Sequence, residues 1–350
     1  MTAKKVSVGV VGTGYIATFA HLPSLSQLPE AKLNAICDQD IVKARNVAKR
    51  FNVPMVYSSL DEMLSNEKLD LVDICLPPQQ HKQAILEVLN RHINCLVEKP
   101  LAVTTADADA IISAAQENKV NVYVTHNYSV VPVISQAKRI VAEGAIGKVI
   151  GVHIEQFVLP HERYFEPNHW CHSLPGEYFG DIAPHLAMLL VEFIGPVTEV
   201  TARSAKLSDS PLRFDELRLI ARTPKALGTI TCSLNCPSFL FAMDIIGDQG
   251  AIHLSGDYQA LAYYPPVGHY VSAFTRGMNG VKDIMSRVIA LTRTSLGVLT
   301  GRYSTLTYGH RYLIQRCLLT LQGKDNYPVD TLNAREAVNL LELAFKQLER

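Results

Sequence analysis

The stretch Val6–Ala17, VSVGVVGTGYIA, decides the fold of the N-terminal half of the chain. A short apolar strand leads into Gly12, which permits a tight turn, and Gly14, where the backbone can approach a pyrophosphate. Ala17 lets the following helix pack closely on the strand, and the N-terminus of that helix presents a positive dipole to phosphate. We therefore predict a dinucleotide site formed by Gly12, Thr13, Gly14, Tyr15, Ile16 and Ala17.

A second predicted strand ends at Asp38, about 24 residues after Gly14, where an acidic residue binds the ribose hydroxyls of a dinucleotide. A carboxylate at this position repels a 2′-phosphate, and the adjacent Gln39 brings no cation to neutralise one. The sequence therefore favours NAD over NADP as the cofactor.

Up to about residue 124, short β-rich runs alternate with longer helical patterns. Apolar strands that alternate with helices predict a parallel sheet covered on both faces, which is a doubly wound Rossmann domain. The expected strands are 6–11, 33–37, 71–76, 94–97 and 120–124, and the expected helices are 15–28, 41–51, 80–91 and 105–118.

Beyond residue 150 the alternation has a period of two, which predicts an open, largely antiparallel sheet. The expected strands are 149–157, 197–206, 216–222, 226–234 and 241–246, and the expected helices are about 130–147, 180–194, 305–322 and 333–348. The fold class is therefore α/β, with an N-terminal Rossmann doubly wound parallel sheet followed by an α+β domain. We place the dinucleotide-binding domain at 1–125 and the substrate-binding and oligomerisation domain at 126–350, with the C-terminal helices packing back on the first.

The composition excludes several classes of protein. The 350 residues carry 33 Lys and Arg against 33 Asp and Glu, so no strong basic charge argues for nucleic acid. The most membrane-like run, 284–299, is interrupted by Arg287 and Arg293, so we expect no membrane span. Seven dispersed cysteines with no Cys-x-x-Cys pair are typical of reduced, buried thiols. We expect a cytoplasmic protein.

Two further patterns suggest chemistry. Glu98-Lys99-Pro100 follows a predicted strand, and strand C-termini line the cofactor crevice, so we expect Lys99 near the nicotinamide; the alternative is an exposed lysine in a turn. Asp181 and His185 are four residues apart, which places them on one face of a helix. A carboxylate beside an imidazole orients it and raises its basicity, as proton removal from an alcohol requires; the alternative is a contact on the helix surface.

These motifs, with Pro77-Pro78-Gln79-Gln80-His81 and the segment from Gly176 to His185, resemble those of the glucose–fructose oxidoreductase/inositol dehydrogenase/MocA family. The resemblance implies NAD(P)-dependent oxidation of sugars or cyclic polyols. It also implies that Lys99 binds and polarises the reacting hydroxyl, that His185 is the acid/base, and that Asp181 tunes His185.

The chain departs from the family pattern around the reacting centre. Only Gly176 is left of a triple glycine, and Ala183-Pro184 replaces the glycine before His185. Met188 stands where an aspartate is common, and Ser129 where an arginine is common. These differences leave the substrate open while the reacting groups are retained.

We therefore expect hydride transfer between nicotinamide and a secondary alcohol or ketone of a sugar, cyclic polyol or sugar derivative, including a nucleotide-sugar. The alternatives are an NAD-dependent enzyme that cleaves glycosides by transient oxidation and elimination, and a non-catalytic NAD-binding regulator. Beyond the glycine turn and Asp38, the predicted cofactor contacts are Pro77, His81, Glu98 and Lys99. The predicted substrate contacts are Lys99, Asn127, Tyr128, Trp170, His172, Asp181 and His185.

Two remaining segments have open interpretations. His169, Cys171 and His172 lack the usual spacing of zinc ligands, so we expect no metal and interpret the segment as pocket lining, with Trp170 suited to a sugar face. The cationic segment Lys282–Arg302 is predicted to be an amphipathic helix that covers the site, packs at a subunit interface or lies on a membrane. The alternative is a helix that packs on the core of its own domain and exposes its charged face to solvent. A homodimer or homotetramer is expected.

Overall fold

The computed structural model describes residues 4–256, 259–266 and 308–348, together with positions 277, 278, 280, 281, 284, 285, 288, 289 and 292. The four cations of the segment Lys282–Arg302 lie outside the described residues. The chain divides into two compact units. The first comprises Met1–Val130 and Leu306–Val338, and the second comprises Val131–Thr305 and Asn339–Arg350.

A six-stranded parallel sheet forms the centre of the first unit, with the strand order β3-β2-β1-β4-β5-β6. Every pair of neighbouring strands is parallel, as the alternation of strands and helices predicted. Its strands are β1 (Val6–Val11), β2 (Ala31–Cys37), β3 (Met55–Tyr57), β4 (Leu71–Ile74), β5 (Asn94–Glu98) and β6 (Val122–Thr125).

The connecting helices begin with a helical segment that contains the π-helical turn Ala17–His21 and continues as α1 (Leu22–Gln27). The others are α2 (Ile41–Phe51), α3 (Leu60–Asn66), α4 (His81–Leu89) and α5 (Thr105–Asn118). Their starts follow local chemistry, because the side chains of Asp40 and Thr104 accept hydrogen bonds from the first free backbone N–H groups of α2 and α5. The predicted bounds of these two helices are confirmed.

Further along the chain, α6 (Pro132–Ala142) and α7 (Tyr178–Ile194) belong to the second unit, and α8 (Tyr308–Leu321) belongs to the first. The division between the units falls inside α9 (Thr331–Leu348). In the part of the chain that the structure describes, every helix is too short or too polar to cross a membrane.

The second unit is built on a seven-stranded sheet with the order β13-β12-β11-β7-β10-β9-β8. Only the β7–β10 pair is parallel, so the predicted open, largely antiparallel sheet is confirmed. Its strands are β7 (Val149–Phe157), β8 (Glu199–Ala205), β9 (Glu216–Arg222), β10 (Leu227–Ser233), β11 (Leu240–Gly247), β12 (Gly250–Ser255) and β13 (Ala260–Tyr264).

One face of this sheet is covered by α7. Gly228 on β10 meets that helix so closely that a Cβ there would lie 2.5 Å from a Leu190 methyl group. Residues of the opposite parity alternate to the other face, where Ile220, Leu227 and Ile246 are exposed. The sheet therefore presents apolar side chains on a face that α7 does not cover.

Candidate active site

The glycine turn after β1 contains two glycines with different constraints. Gly12 has a φ of 89°, and a Cβ there would lie 2.5 Å from the backbone oxygen of Cys75. Around Gly14, by contrast, no described atom beyond those of Gly14 and its two chain neighbours lies within 4 Å of the position that a Cβ would take. Gly12 is therefore required by the fold, whereas Gly14 leaves open space beside the start of a helix, where a phosphate group fits.

Asp38 is held directly beside this turn. Its Oδ2 accepts hydrogen bonds from the backbone N–H and the hydroxyl of Thr13, at 2.7 and 2.6 Å, and its Oδ1 accepts one from Asp40 N at 3.0 Å. Partial burial by itself raises the pKa of Asp38, but these hydrogen bonds and the charge of Lys43 outweigh it and lower the pKa. The carboxylate is therefore ionised and fixed next to the glycine turn.

Lys43 places a cation beside Asp38 that the sequence did not predict, because only the adjacent Gln39 was considered. The first turn of α2 brings its Nζ to 3.8 Å from Asp38 Oδ2, and about half of the side chain is exposed. The signal that could have found it is the cap at Asp40, because a helix that starts there turns its third residue back toward Asp38.

Pro77 and His81 lie in the segment that follows β4, and His81 is the first residue of α4. Both ring nitrogens of the buried His81 are used by backbone oxygens, with Leu76 O at 2.9 Å and Pro100 O at 2.8 Å. Burial lowers the pKa of His81, and the two bonds to backbone oxygens oppose that shift. His81 thus ties the segment after β4 to the segment after β5, and its contact with the cofactor stays a prediction.

Glu98 is the last residue of β5, and its carboxylate points into the interior of the first unit. Its Oε1 lies 2.8 Å from His21 Nε2 and 3.5 Å from His310 Nε2, and its Oε2 accepts a hydrogen bond from Lys99 N at 3.2 Å. Lys99 follows as a half-buried residue with a cis peptide bond to Pro100. The cofactor contact predicted for Glu98 stays a prediction, since the structure shows its carboxylate engaged by other groups.

Three residues of this interior cluster were missed by the sequence reasoning: His21, Asp73 and His310. His21 Nδ1 lies 3.0 and 2.8 Å from the two carboxylate oxygens of Asp73, and both side chains are completely buried. The one available signal was an aspartate inside the otherwise apolar strand Leu71–Ile74, where a buried carboxylate needs a partner.

In the second unit, Asp181 and His185 lie one turn apart on α7. Tyr164 donates a hydrogen bond from its hydroxyl to Asp181 Oδ2 at 3.1 Å. The helix α7 begins at Tyr178, two residues before the predicted start at 180, so Pro184 lies inside the helix. The proline removes the hydrogen bond that would otherwise reach back to Gly180, which loosens the turn between the two predicted catalytic residues.

Aromatic rings surround Tyr164. The rings of His169 and Tyr178 pack edge-on against it, with centroids 4.7 and 4.5 Å away, and the Arg163 guanidinium lies 4.9 Å from its centroid. Burial and the neighbouring Asp181 carboxylate raise the pKa of Tyr164, so its hydroxyl remains protonated and able to donate to Asp181. Trp170 continues the cluster, with its ring 5.2 Å from that of His169.

The second unit also contains a cleft of about 330 Å³, which is lined in part by Phe165, the residue after Tyr164. Leucines form much of its wall, while Glu216 and Asn235 contribute polar atoms. His172 Nε2 lies 3.0 Å from Glu166 O, within its own loop, and the contact of His172 with a substrate stays a prediction.

Among the described residues, two groups of potential metal ligands have donor atoms within 4.8 Å of one another. They are His21, Glu98 and His310, and His21, Asp73 and Cys75. Neither group includes His169, Cys171 or His172, and in both groups the donor atoms already make hydrogen bonds or ion pairs within the protein. The absence of a metal stays a prediction.

The predicted site residues divide between the units. Lys99, Asn127 and Tyr128 belong to the first unit, together with the glycine turn and Asp38, whereas Trp170, His172, Asp181 and His185 belong to the second. Asn127 and Tyr128 lie in the 3₁₀ turn Asn127–Val130, against which α8 packs closely at Gly309.

Two family models match the chain. Residues 6–126 match the oxidoreductase family with an NAD-binding Rossmann fold, and residues 134–253 match the GFO/IDH/MocA C-terminal domain.

Individual relatives share about a quarter of their aligned residues with this chain or fewer. A D-apiose dehydrogenase of Paraburkholderia graminis is 25% identical over 278 residues, which cover 74% of this chain and 70% of that protein. Oxidoreductase P35 of Formosa agariphila is 26% identical over 208 residues, which cover 58% of this chain and 64% of the relative. Among solved structures, the WlbA dehydrogenase of Bordetella pertussis, in complex with NADH and UDP-GlcNAcA, aligns with a TM-score of 0.82 at 19% identity and covers all of this chain and 97% of its own.

Proposed function

Because the chain belongs to the GFO/IDH/MocA family of oxidoreductases, we propose that it transfers a hydride between NAD and a secondary alcohol or ketone of a sugar, cyclic polyol or sugar derivative. The class of substrate is suggested by relatives such as the D-apiose dehydrogenase and by the nucleotide-sugar in the WlbA complex. Residues 1–125 would supply the cofactor site and residues 126–350 the substrate site.

The observation that carries the cofactor assignment is the pairing of Asp38 with Thr13 beside the open space at Gly14. A carboxylate has about four sites that accept hydrogen bonds, and Thr13 and Asp40 use three of those on Asp38, so it retains capacity for a ribose hydroxyl. Its negative charge supports NAD over NADP, while Lys43 at 3.8 Å moderates the repulsion of a 2′-phosphate. NAD, when bound, supplies the hydride acceptor.

In this proposal Lys99 binds the reacting hydroxyl and stabilises negative charge that develops on its oxygen. His185 accepts the hydroxyl proton, and Asp181 supports the imidazole from one turn earlier on α7. Tyr164 holds Asp181 by donating to its Oδ2, which keeps that carboxylate in one orientation. Trp170 would present its ring to the apolar face of a sugar.

The testing experiment is a screen for NAD-linked absorbance change across polyols, aldoses, uronates and nucleotide-sugars. On the substrate identified, Lys99→Ala is expected to lower kcat by about a hundredfold or more, while the Kd for NAD stays within about twofold. Lys49→Ala is the matched control, because Lys49 lies exposed on α2. Survival of turnover in Lys99→Ala would show that the assigned roles are wrong.

The same screen separates the alternatives. Glycoside cleavage without accumulation of NADH would indicate transient oxidation followed by elimination. Binding of NAD with no oxidation of any compound would indicate a regulator.

We also propose that the chain is cytoplasmic and forms homodimers or homotetramers through the exposed face of its seven-stranded sheet. The apolar side chains of Ile220, Leu227 and Ile246 on that face support this proposal, because exposed apolar patches mark interaction surfaces.

A further inference from the structure

A buried chain of charged side chains runs through the first unit and ends at the backbone of Lys99. Asp73, in the middle of β4, contacts Nδ1 of His21 at 2.8 Å, and Nε2 of His21 contacts Glu98 Oε1 at 2.8 Å. The second oxygen of Glu98 accepts the hydrogen bond from Lys99 N at 3.2 Å. Asp73 and His21 are completely buried, and Glu98 is 5% exposed.

The geometry places a carboxylate oxygen beside each ring nitrogen of His21. A neutral imidazole has one N–H, whereas each nitrogen of His21 here faces a carboxylate oxygen at hydrogen-bond distance. When Asp73 and Glu98 are both ionised, and so can only accept, the imidazolium is the form that satisfies both contacts. The groups that face it are Asp73, Cys75, Glu98 and His310, the last of these with its ring 5.7 Å away.

Charge balance supports the same protonation state. Two ionised carboxylates without water would be costly, and a proton on His21 offsets one of the two charges. Burial by itself lowers the pKa of His21, but the charge and hydrogen bonds of Asp73 outweigh it and raise the pKa well above 6.5. For Glu98, burial by itself raises the pKa, and the bonds from His21 and His310 reverse the shift to well below 4.5.

Both oxygens of Glu98 are therefore held, so its side chain cannot rotate without breaking the contact to His21 or the bond from Lys99. The strand β4, the π-helical turn that ends at His21 and the turn after β5 are thus connected through polar contacts rather than through apolar packing alone. A substitution of Asp73 would therefore alter the hydrogen bond to the backbone of Lys99 through the side chains of His21 and Glu98.

We propose that Asp73 and His21 are positioning residues that act through Glu98: they form a buried carboxylate–imidazolium–carboxylate chain that fixes the backbone at Lys99. This inference rests on the proposed function for the catalytic role of Lys99, but the chain itself can be tested without a substrate.

The first measurement is nitrogen NMR of the full-length protein with labelled histidine, with the signals of His21 identified in the variant His21→Gln. Both nitrogens of His21 are expected to carry protons at pH 7. In Asp73→Asn the titration midpoint should fall by one pH unit or more, since about a tenfold loss of proton affinity accompanies each unit.

The second measurement is the reactivity of Lys99 in the NAD-saturated protein. Reductive methylation followed by peptide mass spectrometry gives the labelling rate of Lys99 relative to the exposed Lys49. This ratio is expected to change by about threefold or more in Asp73→Asn, because the backbone that carries the amine is no longer fixed. Asp109→Asn is the matched control: it removes a carboxylate of the same unit that pairs with Arg335 and lies outside the chain of contacts.

A double-mutant cycle distinguishes positioning from general destabilisation. If Asp73 and His21 act in one chain, the combined variant Asp73→Asn/His21→Gln should change the Lys99 ratio no more than the larger single variant does. The double variant has no charge on either member of the pair, so it is the second protein to be measured should Asp73→Asn alone fail to fold. Once a substrate is known, kcat should fall by about tenfold in the variants while the KM for NAD stays within about twofold.

Three results would overturn the proposal. The first is a neutral His21 at pH 7, and the second is an unchanged Lys99 labelling ratio in folded variants. The third is a metal analysis that finds one equivalent of zinc in the wild-type protein and none in His310→Gln, because His21, Glu98 and His310 would then bind a metal. A failure of the whole substrate screen, with the NMR and labelling results as expected, would instead reject the proposed function and leave the positioning chain intact.

Discussion

Alanine substitutions at Gly12 and Gly14 are predicted to separate the stability of the glycine turn from its binding function. The two residues stand two positions apart in the same loop, but the spaces around them differ. A Cβ on Gly12 would lie 2.5 Å from the backbone oxygen of Cys75, whereas a Cβ on Gly14 would lie within 4 Å of no described atom outside Gly14 and its two chain neighbours.

The expected cost of Gly12→Ala has two parts. Gly12 has a positive φ of 89°, in the left-handed region of the backbone. An L-residue in that region costs about 1–2 kcal/mol. Forcing a methyl group against a backbone oxygen adds about 1–3 kcal/mol, because the strand end that carries Cys75 can yield only slightly. We therefore expect the free energy of unfolding to fall by about 2–5 kcal/mol.

Gly14→Ala should leave that free energy nearly unchanged, or raise it by about 0.4–1 kcal/mol through the unfolded state. Its methyl group would occupy the space that we assign to the pyrophosphate, so NAD binding should weaken by about a hundredfold or more. Urea unfolding measures the first quantity, and calorimetric titration with NAD measures the second. Full NAD affinity in Gly14→Ala, or wild-type stability in Gly12→Ala, would refute the division of roles.

Three further predictions concern other parts of the molecule. Asp38→Asn should shift the ratio of NAD to NADP affinity by about tenfold toward NADP, measured by titration, and an unchanged ratio would contradict the role of the carboxylate. Although burial opposes the shift, the hydrogen bonds that the buried Asp215 carboxylate accepts from the hydroxyl and backbone N–H of Ser208 and from Leu207 N lower its pKa from 3.8 to about 2. The ionised carboxylate therefore stabilises the fold fully above pH 3.8, and this stabilisation is lost as the pH falls toward 2. Asp215→Asn should therefore lose about 2 kcal/mol at pH 5 and roughly half of that at pH 3 in urea unfolding, whereas an equal loss at both pH values would exclude the linkage. Leu227→Arg, on the exposed sheet face, should convert the proposed oligomer to monomers in light scattering, and a monomeric wild-type protein would contradict that proposal.

The parallel sheet was predictable because its central strands are buried on both faces and are therefore nearly continuous apolar runs. All four residues of Leu71–Ile74 are buried, as are the last four of Asn94–Glu98, and the edge strand Val122–Thr125 is also buried. The strand Met55–Tyr57 was missed because it has three residues and only Tyr57 is buried, which is too short for a pattern to emerge. In the second unit, the strands β12 (Gly250–Ser255) and β13 (Ala260–Tyr264) were not predicted. They extend the predicted antiparallel sheet at one edge.

The candidate site was predictable only in part, because the sequence gives a residue's place along a strand but not the partners that reach it from elsewhere. The contact of His21 with Asp73 spans 52 positions, and its contact with Glu98 spans 77. Local patterns extend over a few turns of helix or a single strand, so pairings at these distances follow only from the way the strands assemble.

Asp38 and Asp73 show how burial separates two uses of the same side chain in one sheet. Asp38 follows the end of β2, where partial exposure leaves its carboxylate accessible to a ligand. Asp73 lies within β4 and is fully buried, so its charge must be compensated inside the protein, and His21 provides that compensation. Glu98 stands at the end of its strand as Asp38 nearly does, yet its carboxylate turns inward and shares the same imidazole. The Glu-Lys-Pro motif therefore combines an interior carboxylate with the adjacent lysine, and a substitution at Glu98 is expected to act on Lys99 through the backbone.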